Sequence, residues 1–591
     1  MTTPVDPLFQ AFLEQARLAD EFLAAGRFAD ARQLIGDLLL VDPANAVLHL
    51  QLGACCHALL DYPAARAALE RAVALDPLLA DGWADLGAVL QTQRATAEAE
   101  AAFRRALQLD PGHPQALLNL GHLLRDKGRL MEARQCYSAL LEQGHYPLLA
   151  IRLATLLPAV YASSEEAESC FANIHNKLAA LEHQSLSSCL DPIACGGGNA
   201  FYLAYQGRPV AAYQRRIAAL YRRMYDPPYK VARKPSKEQK RRVAFVSAFL
   251  REHTIGHLLA GVISRLPPDR FDVFVLLLGA PPDDLSQQLA AGVQHFEHLP
   301  GSDVNAIAGR IAALQLDVLV YADIGMEPVS YFLAFNRLAP VQAVLWGHPV
   351  TTGIDTVDYY VSSEAQETPG SEAEYSEQLV RLPRLLSWYE APPQVQRSAQ
   401  DFGLNADSFL YVCPQSLFKF HPDFDVLLRQ ILLQDPSGYL VLMQGHQPEW
   451  TEQLQARFSN TLPDVFDRIV WLPRLAYAEY LGLLTCAHVM LDPLYFGGGK
   501  TTLDALSVGL PVVTLPGRTM RSRGTVACCA QIGWFAGVAQ SPDDYVKRAV
   551  ALAREFGATE RQALAELARG LQKDQLAVNA FADWLSAAAV G

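Results

Sequence analysis

The ten cysteines include no C-x-x-C pair, and no cysteine–histidine cluster has zinc-ligand spacing. That excludes a structural zinc site and a CxxC redox centre. Cys55-Cys56 and Cys528-Cys529 are adjacent pairs in apolar helical stretches, so they read as buried free thiols of a reducing compartment. No apolar run approaches the roughly 18 residues needed to cross a bilayer. The opening "MTTPVDPLFQ" has neither a basic nor an apolar leader segment, so no signal peptide is expected and the expected compartment is the cytoplasm. Positive charge is in short supply: 49 Lys and Arg stand against 62 Asp and Glu, a net charge of −13. This argues against a general nucleic-acid binder. A P-loop is missing too. "FGGGKTT" supplies Gly499-Lys500-Thr501, but the first glycine of G-x-x-x-x-G-K-[ST] would fall at Leu494.

What is present begins with a repeat. Asp-Pro recurs at Asp42, Asp76 and Asp110, and Leu-Gly at Leu52, Leu86 and Leu120, each 34 residues apart. Ala65, Leu69 and Ala72 correspond to Ala99, Phe103 and Ala106, and Ala133 and Tyr137 follow. Small residues where two helices touch, a large apolar residue between them and a closing proline make the tetratricopeptide pattern. With a degenerate first unit near residues 8–43, the array spans 1–147 in about four helix pairs. Stacked pairs form a solenoid with a concave face, which serves as a scaffold or docks protein chains.

Residues 148–240 read as a helical connector, interrupted by "GGGNAFYLAYQG" and ending in the basic strap "YKVARKPSKEQKRR". A solvated strap is the simpler reading of that basic run than a nucleic-acid site. From Arg242 the texture changes. "RVAFVSAFL", "FDVFVLLLG", "LDVLVYADIG" and "VQAVLWGHP" are buried strands alternating with helices. The alternation resumes at "FLYVCPQSLFK", "SGYLVLMQG", "RIVWLPR", "AHVMLDPL" and "PVVTLPG". Such alternation predicts parallel sheets covered on both faces. Two α/β Rossmann-like lobes are expected, 241–400 and 401–591, with ligands at the carboxyl ends of strands in the cleft between them.

Several candidate residues fall at those strand ends. In "DPLYFGGGKTTLDALSVG" a strand passes through glycines into a helix ending at Gly509. Free N–H groups and the positive end of the helix dipole suit a phosphate there, aided by Lys500, Thr501 and Thr502. A Gly-rich connecting turn is the plainer alternative. Lys419 ends the first strand of the second lobe, where an anion or solvent could hold it. His253 and His257 stand at i and i+4, but without a third ligand a zinc site is not expected. His253 reads as an acid, base or hydrogen-bonding group of the cleft, or as structural. The same choice applies to His348 in "WGHPVTTG". Asp423 and Asp425 mimic a D-x-D metal motif, yet open a helix, which N-capping explains. Asp504 is a candidate for ribose hydroxyls or a helix-surface carboxylate. Together the cations could neutralise a departing diphosphate without a divalent ion.

A tetratricopeptide array, a helical connector and two Rossmann-like lobes resemble the O-GlcNAc transferase family, glycosyltransferase family 41. "VAFVSAFLREHTIGHLL", "LAPVQAVLWGHPVTTGIDTVDYYVSS", "EYSEQLVRLP", "SLFKFHP" and "FGGGKTTLDALSVGLPVVTLPG" carry the resemblance. It implies a GT-B fold, a UDP-sugar held by the second lobe, no metal or other cofactor, and inverting transfer to side chains of protein acceptors. The donor would be UDP-GlcNAc or a UDP-hexose, and Ser or Thr the acceptor. It places His253 in the active site and Lys419 on the diphosphate. Ser416, Gly498, Gly499, Lys500, Thr501 and Thr502 belong to the donor loops, with His348 nearby. Asp504 falls at the ribose, and the segment from Pro473 and Arg474 to Tyr480 at the uracil. Lys500 stands where relatives carry an uncharged residue. "GHPVTT" and "DIGM" are closer to bacterial cytoplasmic N-glucosyltransferases, which implies an Asn acceptor as the alternative. A scaffold with an inactive transferase domain, and an ATP-hydrolysing repeat protein, are the competing readings. Donor sugar, acceptor atom, general base and oligomeric state, including a homo-oligomer, stay open.

Overall fold

The computed structural model describes residues 7–230, 240–405 and 407–589. Most of the basic strap, 231–239, lies outside the described residues. The chain forms two compact units, Met1–Tyr146 and Pro147–Gly591.

The first unit is four helix pairs: α1 (Pro7–Ala24) with α2 (Phe28–Val41), α3 (Ala46–Ala58) with α4 (Tyr62–Leu75), α5 (Ala80–Thr92) with α6 (Thr96–Leu109), and α7 (Pro114–Asp126) with α8 (Leu130–Glu142). The 34-residue period has a steric cause. A Cβ on Gly53, Gly87 or Gly121 would lie 2.5 Å from Leu69, 2.6 Å from Phe103 or 2.5 Å from Tyr137, respectively. Each repeat thus seats a large, fully buried side chain against a bare backbone. Asp42, Asp76 and Asp110 end their helices in extended backbone ahead of proline, as the ring of the next residue requires. The turn inside each pair needs a left-handed residue at 26, 60, 94 and 128. Gly26 and Gly128 meet that need, whereas Leu60 (φ 63°) and Arg94 (φ 62°) adopt it under strain. Buried Glu100 ties α6 to the last pair. It accepts from Lys127 at 2.8 Å and Arg129 at 2.5 Å, and also pairs with Arg104.

In the second unit the connector consists of helices Leu149–Ala154, Ser164–Glu182 and Ala211–Met224, with a 3-10 turn at Phe201–Tyr205. Its Phe171, Leu203 and Tyr221 enter the same core as Phe274, Phe332 and Tyr360 of the first lobe. That lobe is built on seven strands: β1 (Arg241–Ser247), β2 (Phe271–Leu278), β3 (His295–Leu299), β4 (Val318–Tyr321), β5 (Val341–Val344), β6 (Tyr359–Ser363) and β7 (Gln378–Leu382). They form one sheet in the order β3-β2-β1-β4-β5-β6-β7, parallel throughout. The second lobe holds β8 (Phe409–Cys413), β9 (Gly438–Met443), β10 (Ile469–Leu472), β11 (Val489–Leu491) and β12 (Val512–Val513). Their order is β10-β9-β8-β11-β12, also parallel. Val, Ile, Leu and Phe fill β1, β2, β4 and β11 because both faces of these strands are covered.

Strand order reverses between β1 and β4 in one lobe and between β8 and β11 in the other. Loops leaving the carboxyl ends of such a pair splay to opposite faces and open a crevice. The functional loops arise there. One element crosses between lobes. Helix Gln575–Ala587, counted with the second lobe from its place in the sequence, packs on the first. Val578, Phe581 and Leu585 join the core of Val243 and Phe245. The Arg241 guanidinium donates to the carbonyls of Leu585 and Ala588, both at 2.7 Å. Its apolar face demands cover, but sequence order does not say which sheet supplies it.

Candidate active site

β11 runs into Asp492, whose carboxylate is buried and organises the glycine loop. It accepts from the Gly498 N–H at 2.6 Å and from the Thr514 hydroxyl at 2.8 Å. Burial raises its pKa above the ordinary carboxylate range. The loop backbone leaves no room for side chains. A Cβ on Gly497 would sit 2.7 Å from Asp492, and one on Gly498 would sit 2.6 Å from Thr502 Oγ1 and 2.7 Å from Thr501 Oγ1. Helix Lys500–Ser507 follows and stops at Val508 before Gly509, which takes φ +74°. Its first-turn N–H groups face the crevice end of the sheet.

Lys419 reaches this loop from the other strand of the switch point. It lies in the 3-10 turn Leu417–Lys419 beyond β8. Its ammonium donates to Gln415 Oε1 at 2.8 Å and to the Gly497 carbonyl at 3.1 Å, over the Phe496 ring at 4.8 Å. Gln415 in turn donates to Thr501 Oγ1 at 2.7 Å. Lysine, glutamine, threonine and glycine amides therefore form one connected cradle. Burial pulls the Lys419 pKa down to about 8, with Asp492 pulling in the opposite direction. No pattern in the sequence marked Gln415; a lone glutamine after a strand carries no periodic or motif signal.

Lys500 does not join the cradle. Its ammonium bonds both Asp504 oxygens, at 3.0 and 2.9 Å, and the Tyr477 hydroxyl at 2.8 Å, above the Tyr477 ring. Asp504 Oδ1 also accepts from Tyr389 at 2.8 Å and Tyr477 at 3.0 Å. The i,i+4 spacing on a helix makes this pairing natural. Tyr389 and Tyr477 are further residues that the sequence did not single out.

Two adjoining cavities surround these groups. The larger, about 500 Å³, is lined by His253, Ser416, Arg474, Tyr477, Lys500, Thr501 and Asp504 among others. The smaller, about 280 Å³, is lined by Ser416, Lys419, Gly498, Gly499, Lys500 and Thr501, together with Trp346, Gly347 and Arg521. Three expected site residues line neither. Thr502 is buried and shares a hydrogen bond with Thr525. Pro473 is exposed beside Arg474. His348 is buried against the Phe201 ring, and its Nδ1 has no partner. Burial lowers the His348 pKa to about 3, so its ring is neutral.

His253 caps helix Thr254–Ile263, its Nδ1 accepting from the Ile255 N–H at 3.2 Å. Burial, aided by His257 and Arg251, lowers its pKa. A neutral ring accepting at Nδ1 carries its proton on Nε2. His257 is engaged elsewhere, with Glu252 at 2.6 Å, so the i,i+4 histidines do not converge. The D-x-D pair is not a capping device either. Pro422 is the N-cap and makes no side-chain bond. Instead Asp425 is buried against Arg457 at 2.9 Å, and Asp423 accepts from Tyr495 at 2.7 Å and Ser164 at 2.9 Å. Among the described residues no three His, Cys, Asp or Glu side chains could hold a metal ion together.

Comparison with known proteins agrees with this architecture. The chain is 26% identical over 323 residues to "Probable UDP-N-acetylglucosamine--peptide N-acetylglucosaminyltransferase SEC" of Arabidopsis thaliana, covering 53% of this chain and 33% of that one. It is 29% identical over 238 residues to "UDP-glucose:protein N-beta-glucosyltransferase" of Actinobacillus pleuropneumoniae, covering 39% and 37%. The chain thus spans about a third of the length of the curated relatives it matches. A solved O-GlcNAc transferase mutant of Thermobaculum terrenum superposes with a TM-score of 0.69 at 23% identity, over 92% of this chain and 97% of that one. The likeness supports the fold. Tetratricopeptide repeat families match 16–80 and 90–150. With the family description "Glycosyl transferase family 41" matching residues 212–388 and 389–579, the chain belongs to glycosyl transferase family 41.

Proposed function

We propose that the chain transfers a sugar from a UDP-sugar to side chains of protein acceptors, with inversion at the anomeric carbon and without a metal ion. One observation carries this reading: Lys419, Thr501 and the glycine-loop amides converge where β8 and β11 end. This is a cradle for two phosphates at a topological switch point. The larger cavity takes the nucleoside, with Arg474, Tyr477 and Asp504 on its wall. As the bond from the anomeric carbon to the phosphate oxygen breaks, negative charge grows on the leaving diphosphate. Lys419 and the helix end meet that charge in a partly water-excluded site. The acceptor hydroxyl forms the new bond to the anomeric carbon. His253, with its proton on Nε2, serves as a hydrogen-bond donor to the donor substrate rather than as a base. The acceptors are protein or peptide chains bound by the tetratricopeptide solenoid, and the sugar is GlcNAc or a hexose.

Incubation with a panel of UDP-sugars and cell lysate, followed by mass spectrometry, tests the reading. Modified Ser or Thr peptides are expected, and Lys419→Ala is expected to abolish them. The N-glucosyltransferase relative favours a second reading, with modified Asn. Full activity of Lys419→Ala, or no binding of UDP by calorimetry, rejects the scheme and leaves a repeat scaffold.

A further inference from the structure

The smaller cavity is richer in positive charge than a diphosphate site requires. Lys419, Lys500 and Arg521 reach it, and among the described residues no Asp or Glu lines it. Lys500 is neutralised by Asp504. Lys419 donates only to neutral acceptors. Arg521 is 6% exposed, and its recorded side-chain hydrogen bond runs from Nη2 to the Arg208 carbonyl, leaving Nε buried without a partner. No carboxylate of the described residues forms an ion pair with it. A buried guanidinium without a counter-ion is unfavourable by several kcal/mol (about that order), so an arriving anion stabilises the site.

The geometry orders the donor. The nucleoside fills the larger cavity, and the diphosphate lies over the residues common to both, Gln415, Ser416 and Thr501. The transferred sugar must then project into the smaller cavity. Arg521 stands on that side: its own carbonyl accepts from the Gly497 N–H at 2.9 Å, so its residue backs the glycine loop directly. Burial brings the guanidinium pKa down to about 10, which still leaves it charged at neutral pH.

We propose that Arg521 recognises a carboxylate on the transferred sugar, so that the donor is a nucleoside diphosphate hexuronic acid, a hexose oxidised at C6. The proposal rests on the glycosyltransferase reading above. The carboxylate does not react; the C1–O bond to the phosphate breaks and the acceptor's bond to C1 forms as before. An Arg–carboxylate pair can be bidentate, which selects for planar shape as well as charge.

Calorimetric titration of the full chain with UDP, UDP-glucose and UDP-glucuronate tests this, on the unsubstituted protein, Arg521→Gln and Arg521→Lys. UDP-glucuronate is expected to bind at least tenfold tighter than UDP-glucose. Arg521→Gln should erase that preference while leaving UDP and UDP-glucose within about threefold, and Arg521→Lys should retain part of it. Thermal unfolding checks that each variant is folded. Equal weakening of all three ligands in Arg521→Gln makes Arg521 a diphosphate ligand and overturns the proposal, as does the absence of any preference in the unsubstituted chain. Failure of all three nucleotides to bind that chain overturns the glycosyltransferase reading as well, so the two failures are distinguishable.

Discussion

The depressed pKa of Lys419 makes donor affinity depend on pH, with a sign that can be worked out. In the free chain the ammonium titrates near 8, because burial disfavours the charge. A bound diphosphate favours the charged form and raises that pKa. Below pH 8 the lysine is already protonated, so affinity is flat with respect to this group. Above pH 8 binding must also recruit a proton, which weakens it by about 1.4 kcal/mol, or tenfold, per pH unit. UDP should therefore bind about tenfold more weakly at pH 9 than at pH 7. Folding stability responds in the opposite sense. Above pH 8 an unfolded lysine keeps a proton that the folded one has shed, so this group makes the free chain more stable as pH rises toward 10.5. Isothermal titration calorimetry across pH 7–9 reads the affinity, and Lys419→Arg is the control. A guanidinium does not titrate there, so the slope due to this side chain disappears while any ionisation of the ligand remains. A flat profile in the unsubstituted chain, or the same slope in Lys419→Arg, refutes the assignment of Lys419 to the diphosphate.

Three further outcomes are expected. Gly498→Ala would press a Cβ to within 2.6 Å of Thr502 Oγ1 and 3.0 Å of Gln415 Nε2; UDP affinity should fall by tenfold or more by calorimetry while far-UV circular dichroism is unchanged. Arg94→Gly should relieve the left-handed strain at φ 62° in an exposed turn. Slower hydrogen exchange in α5 and α6 should show a gain of up to about 1 kcal/mol, part of the relief being offset by glycine's freedom in the unfolded chain. Asp323, wholly buried with one unpartnered oxygen, has its pKa raised to about 8 by burial. The folded chain then holds a proton that the unfolded chain has released, so stability falls between about pH 4 and 8. Asp323→Asn should flatten that fall in thermal melts at pH 5 and 8.5, and an unchanged slope would refute the burial argument.

The solenoid was legible because its period is set by steric pairs, Gly53 with Leu69, Gly87 with Phe103 and Gly121 with Tyr137, and a steric pair needs two fixed residue types. The lobes were legible because strands covered on both faces must be apolar along their length, as in β1 and β2. The union of Lys419 with the glycine loop, eighty positions apart, followed from strand order alone. Other features depend on tertiary partners that no local pattern encodes. A histidine among glycines, His348, looks the same whether its ring faces a cleft or a core. Asp423 and Asp425 fit a cap, a metal motif or an ion pair equally well until Arg457 and Tyr495 are seen beside them. Arg521 sits in "RTMRSRG" without periodicity, and only the missing carboxylates around it single it out.

Two cations of the cleft, Lys419 and Lys500, are five residues and eighty residues away from the same glycines by different measures, yet they do different work because of their counter-ions. Lys500 is paired with Asp504 and adds little net field at the cradle. Lys419 is unpaired, and the burial that lowers its pKa also strengthens its attraction for phosphate, since both follow from the weaker dielectric screening around it. Such a charge is useful only if the loop opposite it is held in place. The loop is anchored from outside the lobe that bears it. Tyr495, immediately before Phe496 and the three glycines, is held at φ +69°, its hydroxyl bonded to Asp423. Gly207 of the connector lies so close that a Cβ there would fall 2.6 Å from the Tyr495 ring, and Tyr205 stacks on Phe496 at 4.5 Å. A strained aromatic residue persists only where its surroundings over-determine it. The helical connector therefore belongs to the site's construction: it supplies the packing that keeps the glycine backbone preorganised for charge that develops only during transfer.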